Sequence, residues 1–285
     1  MKAVPFEPLD PGQYRELVRR ALAEDLGWGD LTTETVIDRS MQARGVILVK
    51  APCVIAGVDV ACEAFRQLDP AVNITINRND GVRCVPGDVV ATVRGTASGL
   101  LTAERTALNF IQRMSGIATL TRRFVEAVQG TGAIILDTRK TAPGLRPLDK
   151  WAVRLGGGQN HRFGLFDMAL IKDNHIAAAG SISAAVERVR AGDEQSRPIE
   201  VEVKNLTELQ ETLELAVDRI LLDNMSLDEM REAVRLANGQ TPLEASGNIT
   251  LDNVAAVAAT GVDYISTGAL THSVQALDIS FIVGD

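Results

Sequence analysis

The second half of the chain alternates short apolar runs with amphipathic stretches, and this alternation constrains the fold more than any other feature. Six runs are separated by stretches of helical periodicity: AIIL (133–136), ALI (169–171), IEVEV (199–203), RILL (219–222), LEA (243–245) and DYI (263–265). Strands that alternate with helices in this way form βαβ crossovers and a parallel sheet. We therefore predict a parallel α/β architecture for this half.

Polar residues follow all six runs at the point where each strand ends. They include Asp137 to Lys140, Lys172 to His175, Asp223-Asn224, Ser246 to Asn248 and Ser266 to Gly268. A doubly wound sheet needs polar ends on only a few strands, at its switch point. A barrel gathers the carboxyl end of every strand around one site. Six clear strands, with room for no more than a seventh, predict an incomplete α/β barrel of the TIM type.

The first half is predicted to form an α+β domain with an open, mostly antiparallel sheet. A helix opens at Asp10-Pro11 and stops at Gly27, and short β-type runs (GVILV, VNITI) surround a helix at 60–68. From Leu101 an apolar period of three to four residues predicts one long helix, or a pair broken at Ser115-Gly116. We place the first domain at 1–113 and the barrel at 114–272, with the tail 273–285 expected to pack on the first domain.

The overall charge of the chain narrows its function class. A formal net charge of −8 argues against a general nucleic-acid or anionic-membrane binder, which needs an extended basic surface. No window approaches the ~20 apolar residues of a membrane span, and the first residues carry no secretory pattern, so we expect a cytoplasmic protein. Three cysteines without metal-ligand spacing are expected to be reduced and structural.

A basic segment stands out against this acidic background. Between Leu136 and His175 seven Lys and Arg residues face four Asp residues, and two of the chain's three histidines lie there. If the barrel forms, Arg139, Lys140, Arg162 and Lys172 converge at its mouth near His161. Such cations repel one another unless an anion lies between them, so we expect a multiply anionic ligand. Solvated surface charge is the competing interpretation.

Two carboxylates and two small-residue loops complete the candidate site. Glu202 and Asp223 end neighbouring strands and suit Mg²⁺, which takes one or two carboxylates together with phosphate oxygens; alternatively, Glu200 and Glu202 merely pair with lysines. The loops ASGN and STGA resemble turns that offer backbone N–H groups to a phosphate. Dinucleotide-binding and P-loop motifs are absent, and His272 is taken as an ordinary polar residue.

Several segments resemble the quinolinate phosphoribosyltransferases, also called carboxylating nicotinate-nucleotide pyrophosphorylases. They extend in order from residue 29 to residue 273: GDLTT, GLLTAERTALNF, SGIAT, DTRKTAPGLR, KWAVRLGGGQNHRFGLFDMALIKDNH, EVEV, ILLDN, EASGNI and GVDYISTGALTHS. The resemblance implies Mg²⁺-dependent transfer of phosphoribosyl from phosphoribosyl pyrophosphate to quinolinate. The products would be nicotinate mononucleotide, pyrophosphate and CO₂, in NAD biosynthesis. It also implies a seven-stranded open barrel beside an N-terminal α/β domain, and a homodimer, or a larger assembly, with shared active sites.

The resemblance also implies a role for each matching residue. Arg105 would reach the site from the partner subunit. The quinolinate carboxylates would be held by Arg139, His161, Arg162 and Lys172, and the pyrophosphate by Lys140. Glu202 and Asp223 would hold the metal and the ribose, and Ser246, Gly247 and Gly268 the 5′-phosphate. With Lys140, these two carboxylates form the predicted catalytic set.

The sequence departs from the family pattern at two positions, and three other functions remain open. Ala142 stands where a hydroxyl or larger residue is frequent, and Asn248 replaces a frequent second glycine, although Asn tolerates positive φ. A Schiff-base lyase would use Lys172 as the nucleophile. A non-catalytic anion-binding protein would need only the cations, and a relative acting on another pyridine or pyrimidine acid would differ in its carboxylate-binding residues.

Overall fold

The computed structural model describes residues 8–284. The first half contains a 3₁₀ turn at Pro11–Gln13 followed by nine regular elements. In chain order these are α1 (Arg15–Leu26), α2 (Leu31–Val36), β1 (Gln42–Val49), β2 (Cys53–Val54), α3 (Val58–Leu68), β3 (Asn73–Ile76), β4 (Arg83–Cys84), β5 (Val89–Thr96) and α4 (Ala97–Ala127).

The second half alternates strands and helices, as the apolar runs predict. In chain order its elements are β6 (Ile134–Leu136), α5 (Arg146–Gly156), β7 (Ala169–Ile171), α6 (Asp173–Ala179), α7 (Ile182–Gly192), β8 (Ile199–Val203), α8 (Leu206–Glu214), β9 (Arg219–Asp223), α9 (Leu227–Ala237), β10 (Leu243–Ser246), α10 (Val254–Ala258), β11 (Tyr264–Ser266), α11 (Ala269–His272) and β12 (Ile279–Gly284).

The chain divides into two compact units. The first comprises residues 1–122, 141–157 and 273–285, and the second comprises residues 123–140 and 158–272. No helix among the described residues is long and apolar enough to cross a membrane.

In the first unit a four-stranded antiparallel sheet has the order β12-β1-β5-β3. Phe281 of β12 lies directly against Gly45 of β1, where a β-carbon would collide with its ring. The aromatic ring therefore covers a position that only glycine can occupy. The predicted α+β class with an antiparallel open sheet is confirmed for this half.

In the second unit six parallel strands form one sheet in the order β6-β11-β10-β9-β8-β7. All six predicted runs are strands of this sheet, which confirms the α/β class. A full seventh strand is absent from the described residues of this sheet. Instead, Gln159 makes a single parallel bridge to Leu136 at the β6 edge. The segment 158–168 therefore follows α5 in the chain, touches the β6 edge through this bridge and leads into β7.

The side chains of this sheet alternate between an apolar face and a polar face. Val201, Val203 and Ala245 are fully buried on the apolar face. Their neighbours on the polar face include Glu200, Glu202, Glu244 and Ser246, because successive residues of a strand point to opposite sides. Parallel strands also bring their carboxyl ends to one edge, and the polar face ends there.

The helix α4 is the single long helix of the two predicted alternatives, since it runs through Ser115-Gly116 without interruption for 31 residues. Gly116 serves a different purpose there. A β-carbon at this position would collide with the carbonyl oxygen of Gln275. The glycine therefore permits a close approach of the chain within the first unit, which sequence periodicity cannot distinguish from a helix end.

Candidate active site

A cavity of about 830 Å³ lies at the carboxyl ends of the parallel strands, within the second unit. Ten of the eleven predicted site residues line it: Arg139, Lys140, His161, Arg162, Lys172, Glu202, Asp223, Ser246, Gly247 and Gly268. The eleventh, Arg105, is an exposed residue of α4 in the first unit. Its placement in an active site stays a prediction.

The cationic wall of the cavity consists of Arg139, Arg162 and Lys172. Burial lowers the pKa of Arg162, and the nearby charge of Arg139 lowers it further. One guanidinium nitrogen of Arg162 donates to the carbonyl of Met168 at 3.2 Å. Two guanidinium groups that destabilise each other in this way favour a bound anion between them.

Lys172 ends β7, and its ammonium group forms a close ion pair with Glu202 at the end of β8. The alternative pairing of these glutamates with lysines therefore holds for Glu202. The Lys172 side chain is therefore engaged by a carboxylate, whereas a Schiff-base nucleophile must be free to attack a carbonyl. The structure thus gives no support to a Schiff-base lyase.

The carboxylates of Glu202 and Asp223 both border the cavity. In the β8–β9 register Glu202 lies opposite Leu221, so that Glu202, Leu221 and Asp223 share the polar face of the sheet. Asp223 accepts a hydrogen bond from the side chain of Asn224 at 3.0 Å. Two carboxylates at the edge of this cavity are a donor set that fits Mg²⁺.

The glycine wall consists of Ser246, Gly247 and Gly268, in the turns after β10 and β11. Gly247 has φ 101°, and a β-carbon there would collide with the Asn224 side chain. A β-carbon at Gly268 would lie 2.7 Å from His272 and 2.8 Å from Lys140. Neither turn can carry a larger residue without displacing cavity side chains, so both expose backbone to the cavity.

Both departures from the family pattern are accommodated. Asn248 adopts φ 51°, in the left-handed region that Asn tolerates. Its side chain donates to Asn224 at 3.0 Å and its carbonyl accepts from Asn253 at 2.9 Å. Ala142 lies in the first unit and uses its backbone N–H, which donates to Asp149 at 3.1 Å, so that no side-chain hydroxyl is needed for this contact.

Sequence reasoning gave no site role to several cavity residues, among them His272 and Asn224, or to one residue that supports the cavity. His272 and Asn224 line the cavity, and the buried Thr271 donates to the carbonyl of Lys140 at 2.9 Å. A signal existed for His272, since a residue four positions after Gly268 returns to the same mouth if one helical turn follows the strand. Nothing comparable marked Thr271, whose hydroxyl contacts a residue 131 positions away.

A group of polar side chains lies on the polar face beneath the cavity mouth. The Nε2 atom of His161 lies 2.9 Å from Glu200 and 3.4 Å from Glu244. Burial lowers the pKa of His161, but the hydrogen bonds to these carboxylates raise it by more, to about 9. Burial raises the pKa of Glu200. Burial also acts to raise the pKa of Glu244, but the contacts with His161, Ser266 and Arg219 together lower it.

Comparison with known proteins identifies this arrangement. The model of the quinolinate phosphoribosyl transferase C-terminal domain matches residues 117–282, and that of the N-terminal domain matches residues 30–115. A decarboxylating quinolinate phosphoribosyltransferase from Nicotiana glauca is 46% identical over 93% of this chain and 81% of its own length. A carboxylating nicotinate-nucleotide pyrophosphorylase from Mycobacterium leprae is 48% identical, over 93% and 95%.

Solved structures agree with the family models. A crystal structure of NadC from Streptococcus pyogenes has a TM-score of 0.95 at 40% identity, covering 98% of this chain and 99% of its own. A nicotinate-nucleotide pyrophosphorylase from Francisella tularensis has a TM-score of 0.93 at 40% identity, covering 99% and 98%. The C-terminal family model spans every residue that lines the cavity, and the chain belongs to the quinolinate phosphoribosyltransferase family.

Proposed function

We propose that this protein is a decarboxylating quinolinate phosphoribosyltransferase of NAD biosynthesis. It transfers the phosphoribosyl group of phosphoribosyl pyrophosphate to quinolinate and releases CO₂ and pyrophosphate. The observation that carries the proposal is the joint presence of the cationic wall, two carboxylates and the glycine wall in one cavity. A dicarboxylate and a phosphorylated sugar require these three kinds of group together.

Quinolinate binds at the cationic wall. Arg139, Arg162 and Lys172 face its two carboxylates, together with His161, and Arg105 of a partner subunit completes the set. Guanidinium groups suit carboxylates because their N–H donors form paired hydrogen bonds. The site is shared between the two subunits of a homodimer, or of an assembly built from such dimers, in the cytoplasm. Residues 1–113 form its N-terminal domain and residues 114–272 its barrel domain.

Phosphoribosyl pyrophosphate binds at the glycine wall and at Lys140. Backbone N–H groups around Ser246, Gly247 and Gly268 hold the 5′-phosphate, and Lys140 faces the pyrophosphate. Glu202 and Asp223 hold Mg²⁺ and orient the ribose. Bound Mg²⁺ supplies charge stabilisation for the departing pyrophosphate.

The chemistry requires positioning more than a strong base. Displacement at the ribose carbon builds positive charge on the sugar and negative charge on the pyrophosphate, which Lys140 stabilises. The new bond to the pyridine nitrogen makes the ring cationic. When the carboxylate leaves as CO₂, the ring accepts the electron pair and then takes up a proton in its place. The cationic wall orients both carboxylates until this step.

The reaction is tested by the release of CO₂ from quinolinate labelled in its carboxyl groups. We expect release only when phosphoribosyl pyrophosphate and Mg²⁺ are both present, with one nicotinate mononucleotide formed for each CO₂. Quinolinate that binds without turnover at any Mg²⁺ concentration would overturn the proposal and favour a non-catalytic anion-binding protein. Turnover of a different pyridine or pyrimidine acid instead of quinolinate would also overturn it.

A further inference from the structure

Four residues form a group beneath the cavity mouth, and only His161 among them has a proposed contact with a substrate. We call His161, Glu200, Arg219 and Glu244 the inner cluster. The carboxylates of Glu200 and Glu244 are fully buried, and Glu200 lies two residues before Glu202 on β8. Burying two carboxylates is costly unless cations and hydrogen bonds compensate them. Such a group is retained either for the fold or for the site above it.

Each member of the inner cluster has a defined contact. Glu244 of β10 lies between the His161 ring and the Arg219 guanidinium, with its Oε2 atom 3.4 Å from His161 Nε2 and 2.9 Å from Arg219 Nη1. Glu200 of β8 lies 2.9 Å from the same imidazole nitrogen. The Arg219 guanidinium also stacks over the Tyr264 ring at 4.0 Å. Arg219 does not itself line the cavity, so it has no direct contact with a ligand there.

The two ring nitrogens of His161 contact different groups. Its Nδ1 atom accepts the backbone N–H of Arg162 at 2.8 Å. The Nε2 atom therefore carries the proton and lies 2.9 Å from Glu200 and 3.4 Å from Glu244. A protonated Nε2 is unavailable to a metal, although His161, Glu200 and Glu244 are close enough to hold one. The imidazole and the guanidinium compensate the carboxylates instead.

The same histidine anchors the segment 158–168, which bridges to the edge strand β6 at Gln159 and leads into β7. The backbone N–H of His161 donates to Asp137 at 2.9 Å, and the Asn160 side chain donates to that carboxylate at 2.6 Å. The Nδ1 atom of His161 is engaged by the amide of Arg162, and its Nε2 atom lies beside the two carboxylates. The position of Arg162 in the cationic wall thus depends on how the ring is held.

We propose that Glu200, Glu244 and Arg219 are positioning residues for quinolinate, acting through His161 to fix Arg162 at the cationic wall. The inference rests on the proposed function, since it assigns quinolinate to that wall. Arg219 holds Glu244, the two carboxylates hold the imidazole, and the imidazole holds the amide of Arg162. The binding of phosphoribosyl pyrophosphate at the glycine wall is independent of this chain of contacts.

The test is Arg219→Met, a change outside the cavity. We expect the KM and the Kd for quinolinate to rise about tenfold, which corresponds to about 1.4 kcal/mol, with the KM for phosphoribosyl pyrophosphate unchanged. Arg219→Lys keeps a cation beside Glu244 and should recover part of the quinolinate affinity. The control Arg231→Met removes an exposed arginine paired with Asp228 and should alter neither constant.

Thermal unfolding checks that each variant folds. If Arg219→Met does not fold, the double variant Arg219→Met with Glu244→Gln replaces it, because both charges are then removed together.

Glu244→Gln should add little to the rise in the quinolinate KM in a His161→Ala background, because both changes act through the His161 ring. Equal rises in both substrate constants, or none, would overturn the positioning role. So would a rise in melting temperature with Zn²⁺ or Mn²⁺ that Glu244→Gln abolishes. Wild-type protein that releases no CO₂ refutes the proposed reaction instead.

Discussion

The cationic wall and the glycine wall of the cavity differ in where their polar groups come from. The cationic wall presents the side chains of Arg139, Arg162 and Lys172; His161 of the inner cluster holds Arg162, and Glu202 holds Lys172. The glycine wall presents backbone at Gly247 and Gly268, and neighbouring side chains leave no space for a β-carbon there. One wall is therefore sensitive to loss of a side chain, and the other to gain of one.

This difference has a physical origin in the ligands assigned to each wall. A carboxylate is planar and matches the forked donors of a guanidinium, so side-chain charge is the efficient partner. A phosphate ester accepts from several directions, and closely spaced backbone N–H groups can surround it. Four sets of substitutions should each impair one wall more than the other.

The largest expected effect concerns the sharing of the cationic wall between subunits. Arg105→Ala and Lys172→Ala should each be inactive, and a mixture should recover activity because every hybrid dimer has one intact site. Complete exchange would give about a quarter of wild-type activity, since half of the dimers are hybrid and half of their sites are intact. The assay is nicotinate mononucleotide formation after subunit exchange is shown with tagged chains. Exchange without recovery would mean that Arg105 does not act across subunits.

Arg162→Ala should weaken the cationic wall alone. Loss of a charge-assisted hydrogen bond costs about 1.5–3 kcal/mol, which corresponds to an increase of roughly tenfold to hundredfold in the KM for quinolinate. The KM for phosphoribosyl pyrophosphate should stay within about twofold, as measured by steady-state kinetics. Arg231→Ala is the control, because that arginine is exposed and paired only with Asp228 in its own helix. Unchanged kinetics would remove Arg162 from the quinolinate site.

Gly247→Ala should weaken the glycine wall, with Gly180→Ala as its matched control. Both glycines have φ 101°, but a β-carbon meets Asn224 at Gly247 and nothing within 4 Å at Gly180. We expect the KM for phosphoribosyl pyrophosphate to rise about tenfold or more only in Gly247→Ala, while both variants lose about 1 kcal/mol of stability from backbone strain. Equal kinetic effects would attribute the loss to strain alone.

The smallest effect is expected for Asn248→Gly, which restores the more frequent glycine. Asn248 is exposed and already adopts the left-handed conformation, so the change removes mainly its hydrogen bond to Asn224. We expect less than about a threefold change in the KM for phosphoribosyl pyrophosphate, the scale of an exposed substitution. A large loss would show that the asparagine side chain itself binds the phosphate.

The sequence predicted the sheet and most of the cavity because both depend on local patterns. Six apolar runs with polar ends sufficed to place Arg139, Lys172, Glu202 and Asp223 at one edge. The apolar period of α4 allowed one long helix or a pair broken at Ser115-Gly116 and could not decide between them, since a glycine inside a helix marks either a break or a close approach. The reason for it here is Gln275, which is distant in sequence.

The inner cluster shows a second limit of sequence reasoning. Alternation on β8 places Glu200 and Glu202 on the same face, but their partners lie on other strands and loops. Glu202 pairs with Lys172, as the alternative interpretation held, whereas Glu200 contacts His161. Depth along a strand decides between a cavity residue and a buried one, and only the register with the neighbouring strands fixes that depth.

Calorimetric titration of quinolinate into Arg162→Ala and Gly247→Ala shows whether the two walls bind different ligands. If they do, Gly247→Ala binds quinolinate as the wild-type protein does, and Arg162→Ala loses about tenfold or more in quinolinate affinity. Equal losses of affinity in the two folded variants would mean that the cavity is a single anion site without separate walls.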